Sequence, residues 1–240
     1  MSNLQISLKK AVNNIFHSKW FILKAVIFGA SWLFLPWWAS FLVAIYFYFF
    51  PIFHPDKLLI TFLAFLFLTA IQKPDILFAI VFSIVFYYIL LVKDLLLINR
   101  KFAMETLTLS ISFFLIRDFF MNYGIEKWNL ILSFFFSAIV GLLVYGMISF
   151  FKEYNLERKD NLSKIIPWIM FFLLWELILV GIFIPINFIY QSIIVFIGFT
   201  FFYELIMGYF WNELSRERIF IISSALFSLM VLFLFSAPWF

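Results

Sequence analysis

Two stretches of this chain, residues 130–151 and 219–240, contain no charged side chain. At 1.5 Å per residue, each is long enough as a helix to cross the roughly 30 Å of hydrocarbon in a bilayer. In that solvent every backbone N–H and C=O must be bonded within the protein, which leaves helices and closed barrels as the spanning structures. No period-2 alternation runs along the sequence, so a barrel is not the reading. Composition agrees: 66% of the residues are hydrophobic and 12% charged, with a mean hydropathy of +1.08. Soluble domains carry about 25% charged residues, and a chain of this length has too little interior volume to hide so much apolar surface from water.

Further segments follow the same pattern. Residues 165–184 and 189–211 are apolar apart from one carboxylate each, Glu176 and Glu204. Residues 76–92 are slightly short and continue amphipathically through Lys93 and Asp94. Residues 102–121 carry Glu105 and the Arg117-Asp118 pair, residues 58–71 form a brief apolar run, and residues 25–50 are interrupted by Pro36. The reading is an all-α, polytopic transmembrane helical bundle of seven or eight spans, forming one domain over residues 25–240. Ahead of it, residues 1–24 place Leu4, Leu8, Val12, Ile15 and Phe16 at helical spacing with lysines between, the pattern of an amphipathic interfacial helix.

Thirteen of the 17 basic residues lie in four clusters, at 9–24, 93–101, 152–164 and 216–218. The positive-inside tendency places all four, and hence the N-terminus, on the cytoplasmic side. Three hydrophobic segments separate the first two clusters, which is the wrong parity. Residues 20–50 supply about 46 Å of helix, less than two full crossings require. A bent or re-entrant element broken near Pro36 resolves the conflict, because proline removes an internal helix hydrogen bond. The alternative is eight plain spans that break the charge rule once. The localisation expected from this pattern is a bacterial cytoplasmic membrane.

Residues able to carry chemistry are few. There is no cysteine and there are two histidines, His17 and His54, so neither thiolate nor histidine-cluster metal sites can be built. No cofactor, metal or catalytic residue is expected. The net charge of +4 fits cytoplasmic loops and anionic headgroups rather than nucleic acid. The 39 phenylalanines, with the many Ile, Asn and Lys, read as the mark of an AT-rich genome rather than as a ligand cage.

Glu176 and Glu204 are the most informative positions, since a carboxylate deep in a span must face the bundle interior or be neutralised. The short turn Pro185-Ile186-Asn187 makes their helices antiparallel neighbours, so the two carboxyls could meet and share a proton. With Thr200, on the same face as Glu204, and Arg117 as a possible partner of Glu176, they form a candidate intramembrane polar site. The competing reading is that these groups simply hold helices together. Ser133, Ser137, Gly141 and Tyr145, continuing to Ser149, recur every fourth residue along one span and read as a helix-packing stripe. Trp128, Trp168, Trp211 and Trp239 sit near segment ends, as interfacial anchors do.

Three functions fit these features. The first is a structural, assembly or accessory subunit without chemistry of its own, whose partners are the lipid bilayer and other membrane subunits. The second is a small-solute transporter or permease component, proton-coupled through Glu176 and Glu204. The third, an intramembrane lipid-modifying enzyme, lacks a recognisable nucleophile or acid–base pair. The sequence favours the first.

Overall fold

A computed structural model describes residues 19–50, 58–93, 100–123, 129–152, 160–183 with the turn that follows, and on through 238. Residues 1–18, and with them most of the amphipathic N-terminal segment and His17, lie outside the described residues, as do His54, Trp128 and Trp239. Among the described residues every element is a helix. In chain order these are α1 (residues 19–34), α2 (Trp37–Phe49), α3 (Leu59–Ile71), α4 (Ile76–Lys93), α5 (Arg100–Tyr123), α6 (Asn129–Lys152), α7 (Asp160–Phe183), α8 (Phe188–Phe210) and α9 (Arg216–Ser236). By contacts they divide into two units, residues 1–107 and 108–240, with the boundary inside α5.

Among the described residues five helices are long and apolar enough to cross a membrane: α4, α6, α7, α8 and α9. α2 and α3 are apolar but have only 13 residues each, about 20 Å. α5 has the length, 24 residues, but carries Glu105, Arg117 and Asp118.

In the first unit, residues 20–50 fold into two helices rather than one. Proline disfavours helical geometry in the residue before it, and α1 ends just ahead of Leu35. Pro36 then becomes the N-cap of α2, with φ −56° and ψ 147°. The chain reverses there: Ser40 Oγ donates to the carbonyl of Ser31 at 3.1 Å, and Lys24 Nζ donates to the carbonyl of Phe50 at the other end. The break expected near Pro36 is thus a tight helical hairpin.

Aromatic contacts set the register of the unit. Phe28 meets Phe65 and Phe86, with ring centroids 5.6 and 4.6 Å apart. Trp32 packs edge-on against Phe82 at 5.0 Å and donates its indole N–H to the carbonyl of Thr69 at 3.0 Å. Tyr48 stacks on Phe62 at 4.0 Å. α1 and α3 therefore run parallel, and α2 and α4 run against them, around a fully buried phenylalanine core. Gly29 permits the closest approach, since a Cβ there would lie 3.0 Å from the carbonyl oxygen of Ala79.

The second unit is an up-and-down array. Ser133 faces Trp175 and Gly141 faces Phe171 and Pro167, which makes α6 and α7 antiparallel. Gly181 against Val195 and Gly198 against Leu177 do the same for α7 and α8. The connection is short because Asn187 caps α8, its Oδ1 accepting from Ile189 N–H at 3.2 Å, while Gln191 donates to the carbonyl of Ile184 at 2.8 Å. α5 packs through Phe119 on Phe136, Phe113 on Phe196, and Phe120 beside Gly181. α9 lies at the edge against α8 and has no buried residue within its helical span.

Candidate functional site

α8 ends where Trp211 N–H returns to the carbonyl of Met207 and Glu213 N–H to that of Gly208, both at 2.9 Å. Asn212 between them takes the left-handed conformation, φ 55°, which asparagine tolerates better than most residues. Ser215 then caps α9, its Oγ accepting from Arg218 N–H at 3.1 Å. This tight turn brings Arg218 back over α8. Its Nη1 donates to Glu213 at 3.0 Å and its Nη2 to Glu204 at 3.4 Å. One guanidinium therefore bridges a carboxylate inside the α8 span and a carboxylate in the turn. Arg218 lies fourteen residues beyond Glu204, and only the turn geometry brings them together.

The register of α7 and α8 places Glu176 near the level of Thr200, with Glu204 about one turn, ~6 Å, nearer the α8 C-terminus. Among the described residues no hydrogen bond or ion pair joins the two carboxyls. Glu204 turns to α9, and Glu176 is exposed on the outer side of α7. The Thr200 hydroxyl is buried without a hydrogen-bond partner among the described residues. Arg117 donates to Asp118 at 3.5 Å, with the aspartate fully buried and the arginine partly so.

The four-residue stripe on α6 divides. Ser133 is buried and accepts a hydrogen bond from Trp175 Nε1 at 3.2 Å. Ser137 is also buried, and Gly141 sits so close to α7 that a Cβ would lie 2.9 Å from Phe171 Cβ. Tyr145, one turn further, is 47% exposed. A contact that no spacing rule marks joins α6 to α8: the Tyr203 hydroxyl donates to the sulfur of Met147 at 3.1 Å, both residues buried.

In the first unit, two lysines stand out. Lys24 and Lys93 are buried, and both direct their ammonium groups to the C-terminal end of α2, Lys24 to the Phe50 carbonyl and Lys93 to that of Tyr48. Lys24 also lies 5.6 Å from the ring of Phe21 and Lys93 lies 5.2 Å from that of Tyr48. The final carbonyls of a helix lack intrahelical donors and carry the negative end of its dipole, so cations are stabilising there.

An apolar cavity of about 520 Å³ opens between α7, α8 and α9, lined by Leu177, Gly198, Phe202, Phe220 and Phe227 among others, with Ser223 and Ser224 as its hydroxyls. None of the carboxylates lines it. Among the described residues no group of three or more His, Asp or Glu side chains is placed to hold a metal ion. No protein-family model, curated protein or solved structure matches this chain. The fold and its apolar helices define the class: a helical membrane protein.

Proposed function

We propose that this chain is an accessory or assembly subunit of a bacterial cytoplasmic membrane, acting through helix contacts rather than through chemistry of its own. The observation that carries the reading is the use made of Glu204. The carboxylate best placed for proton coupling is tied by Arg218 to the following helix, where it fastens α9 to α8. Two further polar contacts between helices are of the same kind, Trp175 on Ser133 and Tyr203 on Met147. Interhelical polar contacts of this kind are a general assembly device in membranes.

The hairpin supports a topology in which every basic cluster lies in the cytoplasm. With α1 and α2 counted separately, four helices separate Lys24 from Lys93, two separate Lys101 from Lys152, and two separate Lys164 from Arg216. All three numbers are even, so the charge rule holds throughout. Phe34, Trp37 and Trp38 at the hairpin tip are strongly exposed, as residues of an outer interfacial belt are. In this reading all the described helices are crossings, α5 and the short α1, α2 and α3 included.

The test is purification of the full chain from its native membrane in mild detergent, with chemical cross-linking before solubilisation. A defined, stoichiometric heteromeric complex is expected. A chain that runs alone at its own mass, with no cross-linked product, removes the reading. In a parallel measurement on the same cells, single cysteines at positions 176 and 204 should resist a membrane-impermeant thiol reagent from both sides. Labelling of both would instead support a water-filled transport path.

A further inference from the structure

Glu176 sits at the centre of the outward face of α7. Ile169, Phe172, Val180 and Phe183 lie seven and four residues to either side of it and are all exposed, so the five form one stripe along the helix. The other sides of α7 are occupied, with Trp175 on Ser133, Phe171 on Gly141, and Leu177 on Gly198. Along the span, Glu176 is about 18 Å from Lys164 and about 10 Å from Phe183, well inside the hydrocarbon. Among the described residues nothing donates to its carboxyl. A carboxylate in this position is tolerated when another group neutralises it, and intramembrane ionisable residues pair with one another across helices.

What could supply the cation is constrained by the rest of the unit. Arg218 is held by Glu204 and Glu213 about one turn from this depth, and the other described basic residue of the second unit near it is Arg117, whose helix neighbour Phe120 is beside Gly181. Its guanidinium is engaged with Asp118, and α5 packs on the Gly181 side of α7, about 140° around the helix from Glu176 at 100° per residue. Among the described residues of the second unit, a second copy of this chain therefore has no cation at that level that is not already engaged. We infer that the Glu176 stripe is the docking surface for a membrane-spanning helix of a different subunit, one that carries a lysine or arginine at matching depth. The inference rests on the accessory-subunit reading and gives that partner its chemistry.

The probe is a polyleucine helix of about 21 residues bearing one central arginine, with an all-leucine helix as its control. The full-length protein, donor-labelled, is reconstituted with either acceptor-labelled helix in phosphatidylcholine vesicles, and energy transfer is measured. The arginine helix is expected to associate about 5- to 30-fold more tightly than the control, the range for a strong interhelical polar contact. Glu176→Gln should abolish the preference, and so should Val180→Trp, which blocks the stripe without touching the carboxyl. Glu204→Gln should retain it. Equal binding of the two helices, or a preference that survives Glu176→Gln, overturns the inference. Energy transfer between copies of the chain that is lost in Glu176→Gln overturns it too, by assigning the stripe to self-association. A native heteromeric complex that persists in Glu176→Gln leaves the accessory role standing while this surface falls; a wild-type chain that runs alone removes the accessory role itself.

Discussion

At the scale of single residues, the glycines of the second unit separate into two kinds. Gly141 faces backbone and a Cβ on α7: an added Cβ would lie 3.2 Å from the Pro167 carbonyl oxygen and 2.9 Å from Phe171 Cβ, and neither can move without moving the helix. An added Cβ at Gly198 would meet only the methyl groups of Leu177, at 3.3 and 3.5 Å, which a rotamer change can shift. Gly141→Ala should therefore lower stability by about 1–3 kcal/mol, the range for overpacking a close contact. Gly198→Ala should be near neutral. Thermal unfolding of the two variants in the same detergent measures the difference, and equal midpoints would mean that α6 and α7 are less closely packed at Gly141. The small-residue spacing that marks Gly141 in the sequence marks Tyr145 equally, yet one faces α7 and the other is exposed. Spacing identifies a stripe and leaves its end undetermined.

At the scale of elements, α2 is held at its C-terminus by its neighbours. Its 13 residues are few for an independent helix, and its C-terminal carbonyls are met by Lys24 from α1 and Lys93 from α4. These are charge-assisted hydrogen bonds in a buried setting, each worth roughly 1.5–3 kcal/mol. Replacing Lys93 with Met keeps most of the side-chain volume and removes the donor. Amide exchange in α2 is expected to accelerate by about tenfold or more, as the loss of ~1.4 kcal/mol implies, while exchange in α6 stays unchanged. Unaltered protection in α2 would show that the hairpin is held by its aromatic packing alone. The break at Pro36 was legible from the sequence because proline acts locally. The lysine caps were not, since each joins residues 26 or 45 positions apart.

At the scale of the whole molecule, the two units differ in the thickness of membrane they suit. α6, α7 and α8 have 24, 24 and 23 residues, about 35 Å of helix. In the first unit α2 and α3 offer about 20 Å each, and the α1–α3 register brings Pro36 level with the polar Lys73–Asp75 segment at their far end. A bilayer with ~30 Å of hydrocarbon must thin beside those short helices, at a fraction of a kcal/mol per Å of mismatch. The first unit should therefore be more resistant to thermal unfolding in vesicles of 14-carbon lipids than in those of 18-carbon lipids. Tryptophan fluorescence from Trp20, Trp32, Trp37 and Trp38 during heating would follow this, compared with a variant in which those four are phenylalanine. Indifference to chain length would place the hairpin away from lipid.

What the sequence determined by itself is the class of fold. Uncharged runs of bilayer length leave the backbone no option but the helix, and that constraint needs no knowledge of neighbours. It also marked Glu176 and Glu204 as costly positions. Which way each carboxylate faces was decided by tertiary structure alone, and the reason is the solvent. In water, a helix shows its buried side by an apolar stripe; in lipid, the side facing the tails and the side facing the protein are equally apolar. Around α7, Phe171 inside and Phe172 outside are the same residue type. The direction of Glu176 is set by the Gly141, Gly181 and Gly198 contacts, and that of Glu204 by an arginine brought back through the Asn212 turn. Those are properties of how the helices meet, and no single helix carries them.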